Sequence, residues 1–437
     1  MKKLLFLFIG LWSFYYPAYS QTSSLGVELS GTVLIRYGKI HVGNGEVIDN
    51  GYIEINGHEI SRVADVTTTR INEADYDTII NADGKEIYPG FIIMDSRLGL
   101  TEIGAVKASN DYDETGDFLP NVNALPAFNS ESKIISTVRT NGVLMAQIAP
   151  TGGIISGGSS VVHFDGWNWQ EATVRADEGV FLNWPKRYTQ SGWWADPGKA
   201  KTNKKYKDQL GEINAFFDEA KAYQKLAVKT HQNLRFEAMS GLFSGTQRLY
   251  IRVDEAKCIL DAIQFIRSYG IESTAIVGGE EAVAVTNELK ENKIPVVIDR
   301  VHKLPNHNDS PVDEPFKRAG QLADVGIDIS FATSGSMEAM ISRNLPFQVG
   351  TAVYYGLDYE RAIQSLTLDA AKLLGIDESY GSLEPGKNAT LFISEGDALD
   401  IPTNNITCGI INGHIIDLNN HQKALNEKFA RKHGVSP

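Results

Sequence analysis

From Leu249 to Leu374 short apolar runs alternate with stretches of helical periodicity, and this alternation restricts the fold more than any other feature of the chain. Leu249–Val253, Thr274–Val277, Pro295–Ile298 and Ile327–Ala332 read as strands. Between them, Ile259, Leu260, Ile263 and Ile266 share one helix face that Gly270 terminates, and Glu280–Leu289 and Tyr359–Leu374 read as helices. Upstream, Leu210, Ile213, Phe216, Phe217 and Ala220 fall at helical spacing. Repeated strand–helix units imply parallel strands joined by right-handed crossovers. Residues 89–375 have the length of a closed (β/α)8 barrel, roughly 250 residues. The expected fold class is therefore α/β, a TIM-like barrel.

The two ends of the chain have a different character. Val33-Leu34-Ile35 and Tyr52–Ile55 are strand-like, and Asn56-Gly57 offers the residues of a two-residue hairpin turn. Thr390–Ile393 is strand-like too, and Ile410–Ile416 carries a second Asn-Gly at 412–413. Neither group makes a sheet with both edges satisfied, so 29–88 and 376–420 are expected to combine into one small β-sandwich.

Lys2 and Lys3, an apolar run from Leu4 to Tyr16 and Ala18-Tyr19-Ser20 read as a signal peptide cleaved after Ser20. The mature protein is expected to be secreted or periplasmic, with no membrane anchoring. The formal charge of −13 disfavours nucleic acid and anionic membranes as partners. Cys258 and Cys408 fall in different expected domains, so two free buried thiols are expected rather than a disulfide. The mature tryptophans cluster from Trp167 to Trp194, in what reads as an insertion on the barrel. They serve either as a lid or ligand platform, or as packing for a long loop.

Residues 85–104, with Tyr-Pro-Gly-Phe-Ile-Ile-Met-Asp-Ser-Arg, resemble the first barrel strand of the amidohydrolase superfamily, where Pro-Gly-Phe-Ile-Asp precedes His-x-His. Thr367–Gly375 is similar to that family's last barrel helix, Gly381–Leu391 to its return into the sandwich, and Asn412-Gly413 to its closing hairpin. Within that family the chain resembles the imidazolonepropionase-like branch. The resemblance implies hydrolysis of non-peptide C–N bonds. In that chemistry divalent metals held by histidines and an aspartate activate water and polarise the carbonyl.

The ligand positions, however, carry other residues. Asp95 and Arg97 stand at the His-x-His sites, Arg252 at a strand-five histidine, and Ser334 at the strand-eight aspartate. Strand six, Ala275–Gly279, has no histidine. Arginine cannot ligate a cation. Arg97 and Arg252 could converge on an anion, or form a structural ion-pair network. Two functions stay open. One is an inactive or altered member that needs no cofactor, binding a small molecule or pairing with an active paralogue, as a homo-oligomer or heteromer. The other is a hydrolase with a rearranged site at Asp95, His163 and His302, with one divalent metal (Zn, or Fe/Mn). His302 and His307, with Asp299, Asp309 and Asp313, share one loop after a barrel strand, but their spacing matches no zinc signature. The glycine-rich 151–160 stretch has no Gly-Lys-Ser/Thr ending, so it reads as a tight loop between strands rather than a phosphate loop.

Overall fold

The structure, a computed structural model, describes residues 25–436 apart from 69–70, 194–195, 230, 306–308 and 336, and apart from the side chains of 190, 193, 196 and 197. The expected signal peptide lies outside the described residues.

Eight strands form one sheet in chain order: β1 (Phe91–Ser96), β2 (Val143–Ile148), β3 (Ile155–His163), β4 (Thr173–Asn183), β5 (Arg248–Val253), β6 (Thr274–Gly278), β7 (Val296–Ile298) and β8 (Ile329–Phe331). A parallel bridge between Met94 and Ala332 brings β8 against β1, so the sheet curls nearly shut into a barrel. Residues alternate along each strand. Ile92, Met94, Met145, Val161, Phe181, Tyr250, Val277 and Val297 fill the interior. Phe91, Ile93, Leu144, Val162, Leu182, Leu249 and Ile251 face the surrounding helices.

One strand departs from the all-parallel expectation. β3 runs antiparallel to both β2 and β4. Only Ala149–Ile154 separates β2 from β3, too short for a crossover but ample for a reversal. The stretch read as a glycine-rich loop therefore contributes Gly157 and Gly158 to a barrel strand. A Cβ on Gly157 would lie 2.5 Å from the Val122 carbonyl oxygen, so glycine there admits a neighbouring chain. The tryptophan-rich stretch likewise contains β4, and only the hairpin Tyr188–Trp193 with Asp196–Thr202 stands off the barrel as a two-stranded ribbon. Trp184 is buried, Trp167 is exposed and Trp194 lies outside the described residues.

The chain ends meet in a nine-stranded sheet. Glu86–Pro89 from the front pairs antiparallel with Leu391–Ser394 from the back. The apolar side chains of Val33, Ile35, Ile53, Leu391, Ile393 and Ile410 form its core. Asn412 and Gly413 both take positive φ (48° and 78°), the backbone a type I′ hairpin requires. The other hairpin turns one residue later than read. Asn56 pairs with Glu59, and Gly57 takes the positive φ.

The helix read as Tyr359–Leu374 is two, Tyr359–Leu366 and Leu368–Leu374, because Thr367 leaves helical geometry (φ −128°, ψ −91°). The other expected helix stop holds, with Gly270 left-handed after Ala256–Tyr269. Cys258 and Cys408 are both free; Cys258 is buried as expected, whereas Cys408 is only half-buried. No described helix is long and apolar enough to cross a membrane.

Candidate functional site

The C-terminal ends of the barrel strands open into a cleft of about 450 Å3, lined by Asp95, Asn183, Trp184, Lys186, Arg252, Asp254, Asp299 and Ser334 among others. This is the face on which barrels of this kind carry their sites.

Asp95 reaches the cleft through its backbone. Ile93 faces the helices, so plain alternation would send Asp95 outward as well. Instead, Asp95 has φ of 45°, and the β1–β2 register shifts between Ile93 and Ser96. Outside glycine that backbone is uncommon, and aspartate is among the residues that adopt it most readily. The Asp95 amide donates to Gln147 Oε1 at 3.1 Å, and its buried carboxylate is fully engaged.

Arg252 arrives by simple alternation, two residues after the inward Tyr250. Its Nε donates to Asp95 Oδ2 at 3.0 Å and its Nη2 to Asp95 Oδ1 at 2.5 Å. Nη2 also donates to the Pro150 carbonyl at 3.0 Å, and Nη1 to Ser156 Oγ and Asn183 Oδ1, both at 3.2 Å. The guanidinium lies 4.2 Å above the Phe181 ring, which itself stacks on Tyr250 at 4.8 Å. All five N–H groups are thus spent on protein acceptors. Ser334 completes the set, its hydroxyl donating to Asp95 Oδ2 at 2.7 Å.

Arg97 goes elsewhere. Its Nη2 donates to the Gly335 carbonyl at 2.7 Å and its Nε lies 3.5 Å from Glu338 Oε2. The buried Glu338 also accepts from the Arg97 amide at 2.9 Å and from Ser96 Oγ at 2.8 Å. Arg97 does not line the cleft. The two arginines therefore do not converge on a common anion. Each is consumed by its own carboxylate, which is the ion-pair alternative of the two.

The histidines do not join Asp95. His163 pairs with Met145, near the start of β2, and so lies at the opposite end of the barrel. Its Nδ1 accepts from the Asp165 amide at 3.2 Å, and burial lowers its pKa, keeping it neutral. The distance from the mouth follows from β3 being antiparallel, which carries the strand's last residue downward. His302 does follow β7, but its Nε2 is 2.7 Å from Thr351 Oγ1 on the helix Leu345–Tyr354, and it is absent from the cleft lining. His307 lies outside the described residues.

The fold family implies a divalent metal, but these side chains do not fit one. Both Asp95 oxygens are taken by Arg252 and Ser334, and the permanent guanidinium charge on that carboxylate repels a second cation. Among the described residues, no group of three or more His, Cys, Asp or Glu is placed to hold a metal.

Two further carboxylates stand at the mouth: Asp254, which went unread, and Asp299, read only as one of the acids sharing a loop with His302 and His307. Asp254 follows β5, and no donor among the described residues is hydrogen-bonded to its side chain; it packs over Gly278, where a Cβ would lie 2.4 Å from Oδ1. Asp299 follows β7. Burial, together with the charges of Asp95 and Asp254, pushes its pKa up to about 7 against the Arg300 amide that stabilises its anion. Their position one residue past a barrel strand was the available signal. Beneath the mouth, the wholly buried Glu178 accepts from Gln147 Nε2 at 2.6 Å, Ser159 Oγ at 2.5 Å and Tyr250 Oη at 3.0 Å. Gln147 thereby links this interior carboxyl to the Asp95 amide.

Comparison with known proteins agrees with this frame. The model of the amidohydrolase family matches residues 186–416. The chain is similar to the imidazolonepropionase of Picrophilus torridus, 38% identical over 87 residues, covering 20% of this chain and 22% of that protein. It is also similar to that of Flavobacterium johnsoniae, 30% identical over 82 residues, covering 18% and 20%. The matches thus span about a fifth of the curated relatives' length. Among solved structures, an amidohydrolase from Thermotoga maritima superposes with a TM-score of 0.73 at 22% identity, covering 88% of this chain and 99% of that one. Molinate hydrolase superposes with a TM-score of 0.55 at 12% identity, covering 90% and 96%. At these identities, the structural likeness concerns the fold.

Proposed function

The chain belongs to the amidohydrolase family, and we propose that it is an exported member in which the barrel mouth has given up metal-assisted hydrolysis and kept a small-molecule cleft. The family's chemistry is hydrolysis of C–N bonds other than peptide bonds. The observation that carries the reading is the Arg252 guanidinium, held on Asp95 by two hydrogen bonds and on Ser156, Asn183 and Pro150 by three more. A positive charge is built into the mouth as a structural part. The alternative, a rearranged metal site at Asp95, His163 and His302, draws no support from the placement of the two histidines.

Among the described residues lining the cleft, Asp254 and Lys186 are placed to meet a ligand, and Asp299 keeps one carboxylate oxygen besides the one that accepts from the Arg300 amide at 2.7 Å, with Trp184 as an apolar wall. Pairing with an active paralogue is compatible with this role and would leave the cleft as a regulatory or carrier site. Export rests on the N-terminal sequence alone, and sequencing the mature N-terminus in the extracytoplasmic fraction, expected to begin at Gln21, tests it.

The deciding experiment is elemental mass spectrometry of the purified protein after incubation with zinc, iron(II) or manganese(II) and exhaustive dialysis. Only trace metal is expected. Near-stoichiometric retained metal, lost on substitution of Asp95, would overturn the reading.

A further inference from the structure

A second cavity lies outside the barrel mouth. It is a groove of about 580 Å3 between the helices Tyr206–Gln224 and Ala256–Tyr269, with the segment leading from Trp184 to Arg187 along one wall. Its charge runs against that of the protein. The chain carries a formal −13, yet the groove is lined by Arg187, Lys204, Lys207 and Lys257 against a single acid, Asp261.

That acid does not neutralise the groove. Asp261 accepts from Tyr206 Oη at 2.8 Å and is shared between Lys257 Nζ at 3.4 Å and Arg187 Nη1 at 3.9 Å. Lys204 and Lys207 are exposed, and neither side-chain ammonium makes a hydrogen bond or ion pair among the described residues. The ribbon reaches the groove only through its last residue, Thr202; its Lys199 and Lys201 are exposed but lie outside the lining. The helix Tyr206–Gln224 also begins here, with no side-chain cap on its first turn. An isolated surface lysine is worth little to a ligand, but cations converging from several elements into a concave site reinforce one another. The walls are fixed rather than loose: Trp184 Nε1 donates to Tyr206 Oη at 3.2 Å, and Arg187 lies 5.4 Å above the Tyr206 ring.

We propose that this groove binds a small multivalent anion, bearing two or more carboxylate or phosphate groups, through Lys204, Lys207 and Lys257. One charge alone would leave the others repelling each other, so the ligand must present at least two. Trp184 lines both this groove and the mouth cleft, so the two sites share a wall.

The test is isothermal titration of the full chain with pyrophosphate and, separately, with citrate. Saturable one-site binding is expected for at least one probe, and the tighter probe tells phosphate from carboxylate. In the double variant Lys204→Ala/Lys207→Ala, affinity should fall about tenfold or more. Lys423→Ala/Lys428→Ala, the same charge change on the C-terminal helix, should leave it unchanged. Thermal melting of both variants should match the parent, since all four lysines are exposed. Failure of both probes to saturate would overturn the proposal, as would equal losses in the two double variants. Metal content and hydrolysis at the mouth are read by neither titration, so the two readings fail separately.

Discussion

Arg252 and Asp95 meet across the barrel mouth in a bidentate pair, Nε to Oδ2 at 3.0 Å and Nη2 to Oδ1 at 2.5 Å. The pair joins β5 to the end of β1, so it ties two non-adjacent strands of the barrel together. Removing one partner strands a buried charge. Arg252→Met alone should cost about 3–5 kcal/mol, whereas Asp95→Asn with Arg252→Met should cost clearly less than the sum of the single changes. Urea denaturation of the four proteins closes this cycle. Additive costs would mean that the pair is not coupled.

Asp299 makes stability at the mouth depend on pH. Its folded pKa, pushed up to about 7 by burial and by the charges of Asp95 and Asp254, lies above that of an ordinary aspartate. The folded state therefore holds a proton that the unfolded chain releases, and stability falls as pH rises from about 4 to about 7. Asp299→Asn should remove that slope, gaining on the order of 2 kcal/mol at pH 8 after discounting for partial solvent access. An unchanged stability–pH profile for the variant would refute the assignment.

Glu178 behaves in the same sense from deeper inside. Burial raises its pKa despite hydrogen bonds from Ser159, Gln147 and Tyr250. Glu178→Gln should be tolerated or stabilising at neutral pH. Glu178→Ala should cost about 2–4 kcal/mol by leaving those donors unsatisfied and opening a void. Equal melting temperatures for the two variants would show that the network contributes nothing.

His41 has the opposite sign. It is fully buried where the end sheet meets the barrel, stacked on Tyr88 at 4.4 Å, with Nδ1 2.8 Å from Glu360 and Nε2 3.1 Å from Glu86. Burial pulls its pKa down, but the two carboxylates outweigh that and raise it above 6.5. The stability it contributes is therefore full below about pH 6.5 and lost as pH rises through the raised value. His41→Gln should erase this loss, and thermal melts between pH 6 and 9 would show it. A parent protein with no stability loss across that range would count against a charged His41.

The sequence by itself determined the local chemistry. Periodicity places β5 to β8 and several of the helices around them, Asn412-Gly413 dictates its hairpin, and the identities of Asp95, Arg97, Arg252 and Ser334 already oppose the standard metal site that the resemblance implies. Those follow from nearest-neighbour sterics and from side-chain charge, which need no fold. Tertiary structure decided partnership and direction. A short link between β2 and β3 reverses one strand and sends His163 to the far end of the barrel, a positive φ turns Asp95 into the mouth, and Glu338, far away in sequence, claims Arg97. Whether two arginines bind a ligand or a carboxylate depends on which acceptors lie within about 3 Å, and that is set by how distant segments pack.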